Sequence, residues 1–192
     1  MVDGTEKMIY PIVAYGDPVL RKKAAPITKD YPKLDEIISN MFATMYHSLG
    51  VGLAAPQVGL SIRLFVVDAT PFKEDDKEAG GFKKVFINAE ILEEDGDPWK
   101  FNEGCLSIPG VREDIQRKES VWLHYYDENF VEHEEEFTGL PARVIQHEYD
   151  HIEGILFTDR ITPFKKRLLK GKLTDISKGI VDADYKMRFY KK

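Results

Sequence analysis

The sequence lacks cysteine pairs, long apolar runs and an excess of positive charge, and each absence excludes a class of protein. Cys105 is the single cysteine among 192 residues, which rules out an intrachain disulfide and suits a reducing, cytoplasmic location. No apolar run approaches the ~20 residues that cross a bilayer as a helix. Residues 1–7 are polar and lack the apolar core of a signal peptide, so we interpret them as a short leader before Met8.

The charge balance also limits the partners. Acidic residues number 33 against 27 lysines and arginines, a net charge of −6. Proteins that bind nucleic acid usually carry basic surfaces, so specific DNA is not expected as a partner. The one basic cluster has two interpretations: a solvated helix face, which we favour, or a docking surface for an acidic partner or RNA. Its members are Lys165, Lys166, Arg167, Lys170 and Lys172.

Apolar periodicity predicts helices and strands that do not alternate regularly along the chain. Three- and four-residue spacings predict helices over 31–49, 141–153 and 163–169. Apolar or alternating stretches predict strands over 62–68, 85–92, 121–126 and 132–137, and a final strand through Val181, Ala183, Tyr185 and Met187. The polar stretch 70–81 is predicted to be a mobile loop. The pattern indicates one α+β domain over residues 1–192, with a tail from 171 onward.

The second predicted helix, with Thr138 as its N-cap, contains a His-Glu-x-x-His sequence. Positions i and i+4 lie ~40° apart around a helix, so His147 and His151 project from one face and can bind one metal ion. Glu148 lies ~100° from His147, where it can act as a general base on a water molecule but is poorly placed as a ligand. Apolar flanks indicate that the helix is buried, and buried polar groups require a partner such as a metal. The alternative is a solvated helix with two chance histidines.

A catalytic metal centre needs a third protein ligand and an open coordination position. Cys105 is a candidate within the loop-like stretch 102–109, although a lone cysteine is most often a small buried side chain. Two functions remain open on the residues alone. A metallopeptidase would share the helix motif without requiring Cys105 or Gln57. A non-catalytic module stabilised by a metal would normally have four protein ligands, whereas three are evident.

Three segments, taken together and in order, resemble the peptide deformylase family. They are GVGLAAPQ at 50–57, EGCLS at 103–107 and QHEYDH at 146–151, and YGDPVLR at 15–21 is similar to the family's first segment. One such segment would be weak support, but three in register are specific. The resemblance implies an α+β domain with antiparallel and mixed sheets around a central metal-binding helix.

The resemblance also implies a reaction: metal-dependent hydrolysis that removes the formyl group from the N-terminal formylmethionine of newly made polypeptides and releases formate. Cys105, His147 and His151 would hold the metal, Fe²⁺ in bacterial cells, with zinc, nickel or cobalt as replacements. Implied partners are N-formylmethionyl nascent peptides and, transiently, the ribosome, with no membrane. The family's best-known form ends in a long helix linked to ribosome binding, whereas Gly171 and Gly179 are predicted to interrupt the last helix here.

Further residues receive roles from the resemblance. Glu148 would be the general base, and the side-chain amide of Gln57 with the backbone N–H of Leu106 would stabilise the oxyanion. A polar loop residue is the plainer interpretation of Gln57, and a surface charge is the plainer interpretation of Arg112. The implied substrate-binding residues are Val51, Gly52, Glu103, Gly104, Arg112, Leu140, Arg143 and Val144.

These substrate-binding residues would act in different ways. Val51 and Gly52 would pair with the peptide as an added strand. Leu140 and Val144 would line an apolar pocket for the methionine side chain. Arg143 shares the ligand face of the helix, so its stem is expected to line the pocket while its charge lies at the rim.

Overall fold

A computed structural model describes residues 7–191, so residues 1–6 of the interpreted leader lie outside the description. The described range contains the α-helices α1 (Leu34–His47), α2 (Gly139–Ile152) and α3 (Pro163–Ser177). Its strands are β1 (Ile12–Val13), β2 (Gly52–Ala54), β3 (Leu64–Asp68), β4 (Lys83–Asp95), β5 (Trp99–Cys105), β6 (Ile108–Arg117), β7 (Ser120–Tyr126), β8 (Glu132–Thr138) and β9 (Met187–Arg188). The predicted α+β class is confirmed. No helix in this range combines the length and apolar character needed to cross a bilayer.

The largest sheet is antiparallel and has the strand order β2-β3-β4-β7-β8. Its second strand, β3, reads Leu-Phe-Val-Val-Asp and is buried along nearly its whole length, which explains why its apolar residues do not alternate with polar ones. Strands β5 and β6 form a separate antiparallel hairpin, and β1 pairs in parallel with β9. Antiparallel pairing therefore dominates the described residues, as expected, and the one parallel pair of strands forms a sheet of its own.

Helix α2 lies between the large sheet and the β5–β6 hairpin. Its residues Ala142, Ile145 and Ile152 are fully buried in one apolar cluster with Phe65 of β3 and Phe86 of β4. Burying each large apolar side chain stabilises the fold by ~1.5–3 kcal/mol. Because both faces of α2 are covered, its polar residues are held inside the protein beside the end of β5.

The N-terminus of α2 is capped by a different residue from the one predicted. Thr138 is the N-cap residue, but its side chain makes no capping hydrogen bond. The carboxylate of Asp76 accepts a hydrogen bond from the backbone N–H of Leu140 at 2.7 Å instead. A carboxylate at this end satisfies an unpaired donor and interacts favourably with the helix dipole. The stretch 70–81, predicted to be a mobile loop, thus contains two short 3₁₀ helices and is fastened to α2.

The C-terminal region corrects a second prediction. Helix α3 continues through Gly171 to Ser177, so the predicted interruption at Gly171 is wrong. A glycine inside a helix costs only ~1 kcal/mol relative to alanine, and burial of Leu173 and Ile176 after it outweighs that cost. The helix does end before Gly179, whose φ of 81° turns the chain. Of the predicted final strand, only β9 pairs with another strand.

Candidate active site

Helix α2 and strand β5 bring together three side chains that could bind a metal ion. One ligand atom each from Cys105, His147 and His151 lies within 4.8 Å of the other two. The two imidazoles face the same side of α2, with ring centroids 5.1 Å apart. The Cys105 Sγ atom, at the end of β5, is 3.3 Å from Nε2 of His151. Separations of this order allow one ion to contact all three atoms, since metal–sulfur and metal–nitrogen bonds are ~2.0–2.3 Å long.

The surroundings of these side chains also fit a bound cation. Nδ1 of His147 is 2.9 Å from a carboxylate oxygen of Glu103, an arrangement that orients a ligating imidazole and raises its basicity. Three protein ligands leave coordination positions open, as a catalytic metal requires. The residues present therefore fit a divalent cation, and they fit a catalytic site better than a structural one with four protein ligands.

Glu103 lies at the centre of a buried ionic network. Arg117 donates to both of its carboxylate oxygens, at 2.7 and 3.0 Å, and to Asp150 at 2.8 Å. Burial opposes the ionisation of Glu103, but hydrogen bonds and charge attraction from His147 and Arg117 outweigh it and hold the pKa of Glu103 far below its usual range. Glu103 therefore stays charged and holds the ring of His147 in place.

Arg143 occupies a different position from the one predicted. Its side chain is 2% exposed, and its guanidinium donates to the backbone oxygens of Trp99 at 2.7 Å and Ile115 at 3.1 Å. It also stacks over the Trp99 ring at 4.2 Å and approaches Glu103 at 3.3 Å. The prediction that its charge lies at the pocket rim is wrong, because the β5–β6 hairpin supplies acceptors for the guanidinium inside the protein.

Glu148 points into the site without being tied to a neighbour. Its side chain is buried, and its Oε2 atom has no hydrogen-bond partner among residues 7–191. Burial raises the pKa of Glu148 to about 7, against the opposing charge of His147. A carboxyl group that exchanges a proton near neutral pH suits general acid–base chemistry.

Gly52 makes room for Glu148. A Cβ atom at this position would lie 2.5 Å from Oε1 of Glu148 and 2.8 Å from its Cγ atom. The glycine is therefore required by the close approach of β2 to α2, and a side chain here would displace the carboxylate.

Gln57 and Leu106 are both neighbours of Cys105, the first in space and the second in the chain. Gln57 is 1% exposed in a short 3₁₀ helix, where a loop had been predicted. Its Oε1 accepts from the backbone N–H of Ala54 at 2.9 Å, which directs the Nε2 donor toward Cys105 Sγ and Ser107 Oγ, each at 3.4 Å. Leu106 occupies the tight turn between β5 and β6. The side-chain donor of Gln57 thus lies beside the thiol, and Leu106, whose backbone N–H is the second predicted donor, follows Cys105 directly in the chain.

The site opens into a cavity of about 600 Å³. Most residues that the resemblance implicated line it, namely Val51, Gly52, Gln57, Glu103, Gly104, Cys105, Leu106, Arg112, Arg143, Val144, His147 and Glu148. Leu140 is buried in the first turn of α2 and is not among the lining residues, so its predicted contact with substrate has no support. His151 is likewise absent from the lining because it lies deeper, at 1% exposure.

Sequence reasoning missed several residues of the cavity wall. Phe72 and Phe101 form an edge-to-face pair there, with ring centroids 6.2 Å apart. The C-terminal tail contributes residues 182–185. Alternation in the tail predicted a strand, but no local signal showed where that strand would lie.

A thiol, two imidazoles and a buried carboxylate at the end of a peptide-sized cavity define a class of protein, the metal-dependent hydrolases. The chain belongs within that class to one family: residues 9–167 match the family model for polypeptide deformylase. The resemblance seen in the sequence is thereby confirmed. The enzyme hydrolyses the N-formyl group from the N-terminus of newly made polypeptides and releases formate.

Relatives of known identity agree with this assignment. The chain is 60% identical over 192 residues to the peptide deformylase of Flavobacterium psychrophilum, covering 96% of this chain and 99% of the relative. It is 59% identical over 189 residues to that of Christiangramia forsetii, covering 95% and 96%. The solved peptide deformylase of Thermotoga maritima superposes with a TM-score of 0.73 at 45% identity, covering 81% and 99%. The solved peptide deformylase of Legionella pneumophila superposes with a TM-score of 0.78 at 37% identity, covering 89% of this chain and 96% of that one.

Proposed function

We propose that Cys105, His147 and His151 hold one divalent metal ion and that Glu148 is the general base of the deformylation reaction. The observation that carries the proposal is the meeting of the three ligand atoms within 4.8 Å beside a buried, unpaired carboxylate oxygen. A divalent cation held by these three residues would supply a Lewis acid that makes a water molecule easier to deprotonate.

The protein residues move protons and stabilise charge in this scheme. Glu148 takes a proton from a water molecule, and the oxygen of that water molecule attacks the formyl carbon. The carbonyl oxygen becomes an oxyanion, which accepts hydrogen bonds from Nε2 of Gln57 and the backbone N–H of Leu106. Glu148 then gives its proton to the amine nitrogen as the carbon–nitrogen bond breaks. Formate and a peptide with a free N-terminal amine are the products.

The peptide substrate is proposed to extend the large sheet. Strand β2 is the first strand of the order β2-β3-β4-β7-β8, so its outer edge is not paired within residues 7–191. Val51 and Gly52 lie at this edge and line the cavity. A peptide that adds to an exposed strand gains main-chain hydrogen bonds that do not depend on its sequence. This mode suits an enzyme that processes many different N-termini.

Side chains around the cavity are proposed to recognise the formylmethionine and the residues that follow it. Val144 and the stem of Arg143 form an apolar surface for the methionine side chain. Arg112, held by two hydrogen bonds to Asn102, presents a charge to the peptide backbone. Glu103 and Gly104 contribute through their backbone, since the Glu103 carboxylate is fully engaged with His147 and two arginines.

Fe²⁺ is the metal we propose in cells. Imidazole and thiolate ligands also accept zinc, nickel and cobalt, so the donor set does not select one ion by itself. Protein purified without air is expected to contain about one iron per chain with full activity. Elemental analysis beside a deformylation assay checks this. Full activity in preparations that hold only zinc would contradict the proposal of iron.

The proposed setting is the cytoplasm, where nascent chains become accessible, with transient ribosome association as a further prediction. The basic residues of α3 give this association little support. Lys165 pairs with Glu113, Lys166 lies 3.2 Å from Asp159, and Lys172 donates to a backbone oxygen of β6. These three lysines are engaged by other groups of the chain, which argues against a docking surface. The side chains of Lys165 and Lys166 are still 42% and 49% exposed, so the interpretation as a solvated helix face remains the favoured one.

Substrate preference tests the proposed function directly. Formyl-Met peptides should exceed matched acetyl-Met peptides in kcat/KM by at least ~10², because the extra methyl group displaces the reacting carbon by ~1 Å or more. Formyl-Ala peptides should be poorer by roughly 1 kcal/mol for each methylene-sized group lost from the pocket. The measurement is kcat/KM for three peptides that differ only at these groups.

Two outcomes would contradict separate parts of the proposal. Equal values for formyl-Met and acetyl-Met peptides would show that the site does not position a formyl carbon. Equal values for formyl-Met and formyl-Ala peptides would remove the pocket at Val144 and Arg143 while leaving the reaction itself intact.

A further inference from the structure

The chain beyond α3 returns to the active site. After Gly179 it runs past the cavity, and residues 182–185 form part of the cavity wall. It then enters β9, where backbone N–H groups of Ile12 and Ala14 donate to the tail at 2.9 Å each. Arg188 adds an ion pair with Asp17 at 3.4 Å. The tail is therefore fastened to the N-terminal strand on one side and faces the substrate cavity on the other.

The tail and the N-terminal strand together hold the turn that follows Cys105. The hydroxyl of Tyr185 donates to the backbone oxygen of Leu106 at 2.8 Å. The backbone N–H of Tyr15, just after β1, donates to the oxygen of Ser107 at 2.9 Å. Two successive carbonyl groups of the turn are thus bound by residues from opposite ends of the chain, and those two ends are paired with each other as β1 and β9.

The side chain of Leu106 is confined as well. A Cβ atom at Gly50 would lie only 3.0 Å from Cδ1 of Leu106, so the leucine packs directly against the backbone before β2. The two peptide planes of Leu106 meet at its Cα atom. With its side chain in contact on one side and its carbonyl group bound, rotation about that atom is restricted, and this restricts the directions that its own N–H can take.

We propose that Tyr185 is a positioning residue for deformylation, which acts by fixing the turn that presents the Leu106 N–H to the oxyanion. The proposal rests on the oxyanion role of Leu106 given above. It gives the C-terminal tail a role in the active site, whereas the sequence alone predicted only a further strand there. Loss of the Tyr185 hydroxyl leaves the aromatic ring to pack as before but releases the Leu106 carbonyl group. The turn then samples orientations in which its N–H misses the oxyanion.

The test compares Tyr185→Phe with a matched control, Tyr190→Phe, which removes the hydroxyl of an exposed tyrosine in the same tail. For Tyr185→Phe, kcat per metal-loaded molecule should fall by roughly 5- to 10-fold, as expected for the loss of one hydrogen bond, with KM changed by less than about twofold. Hydrogen exchange of the peptide covering residues 104–108 should become faster in the same variant. Tyr190→Phe should match the parent enzyme in both measurements.

Each other outcome overturns the proposal. Unchanged kcat and unchanged exchange would show that the hydroxyl does not matter. A lower melting temperature with unchanged kcat per metal-loaded molecule would show a purely structural role. A lower kcat without faster exchange at residues 104–108 would show that Tyr185 does not act through the turn. Failure of the proposed function would be seen in a different experiment, as full activity of the Glu148→Gln variant. The hydrogen-exchange comparison of Tyr185→Phe with the parent enzyme does not depend on that result.

Discussion

Replacing Glu148 by glutamine is expected to lower kcat by roughly 10²–10⁴ while the metal content stays that of the parent enzyme. The amide has nearly the shape of the carboxylate but cannot accept a proton from water or pass one to the leaving amine. The three proposed metal ligands are unchanged in this variant, and Gly52 leaves the same space for the new side chain. Steady-state kinetics with a formyl-Met peptide, beside elemental analysis of the same preparation, measures both quantities.

A control separates the loss of the base from a general loss of charge. Glu136 is exposed on β8, away from the cavity, and Glu136→Gln should retain the parent kcat. If Glu148→Gln turned over at a near-normal rate with full metal content, another group would have to be the base.

Cys105→Ser is expected to weaken metal binding by more than ~10²-fold. Mutation of residues that merely support ligands costs 10–100-fold in metal affinity, and here a ligand itself is changed. A serine hydroxyl does not ionise near neutral pH, whereas a metal-bound thiol does, so the substitution removes a negatively charged donor. Dialysis against increasing concentrations of chelator, followed by metal analysis and activity measurement, gives the retention of each variant.

The matched control is a histidine outside the site. His124 lies on β7 beside Glu132, and His124→Asn should hold the metal as the parent enzyme does. A Cys105→Ser variant that kept its metal through the same dialysis would show that the third ligand is a different residue.

Local patterns in the sequence were enough to predict the catalytic helix. Helical periodicity depends on residues three and four apart, so α2 and the common face of His147 and His151 follow from the sequence of that helix alone. The same holds for the placement of Glu148 beside the ligands. The apolar residues that flank the motif correctly indicated burial, because a helix that is packed on both faces exposes few of its residues to solvent.

The β5–β6 hairpin could not be predicted because its inward positions carry charge. Glu103 faces the interior of the protein, where local alternation would require an apolar residue. Its charge is satisfied by Arg117 from β6 and His147 from α2, which only the folded chain brings together. Arg143 was misplaced for the same reason, since the backbone oxygens that hold it inside belong to Trp99 and Ile115.

The sequence by itself determined the family and the reaction and predicted the residues that carry it, because those residues lie in short segments whose order and spacing are specific. Tertiary structure alone decided what holds these residues in place: Asp76 at the N-terminus of α2, the cations around Glu103, and Tyr185 on the turn after Cys105. The physical reason is that each of these contacts joins residues far apart in the chain. Hydrogen bonds and ion pairs of that kind depend on the packing of whole elements, and no periodicity within one element records them.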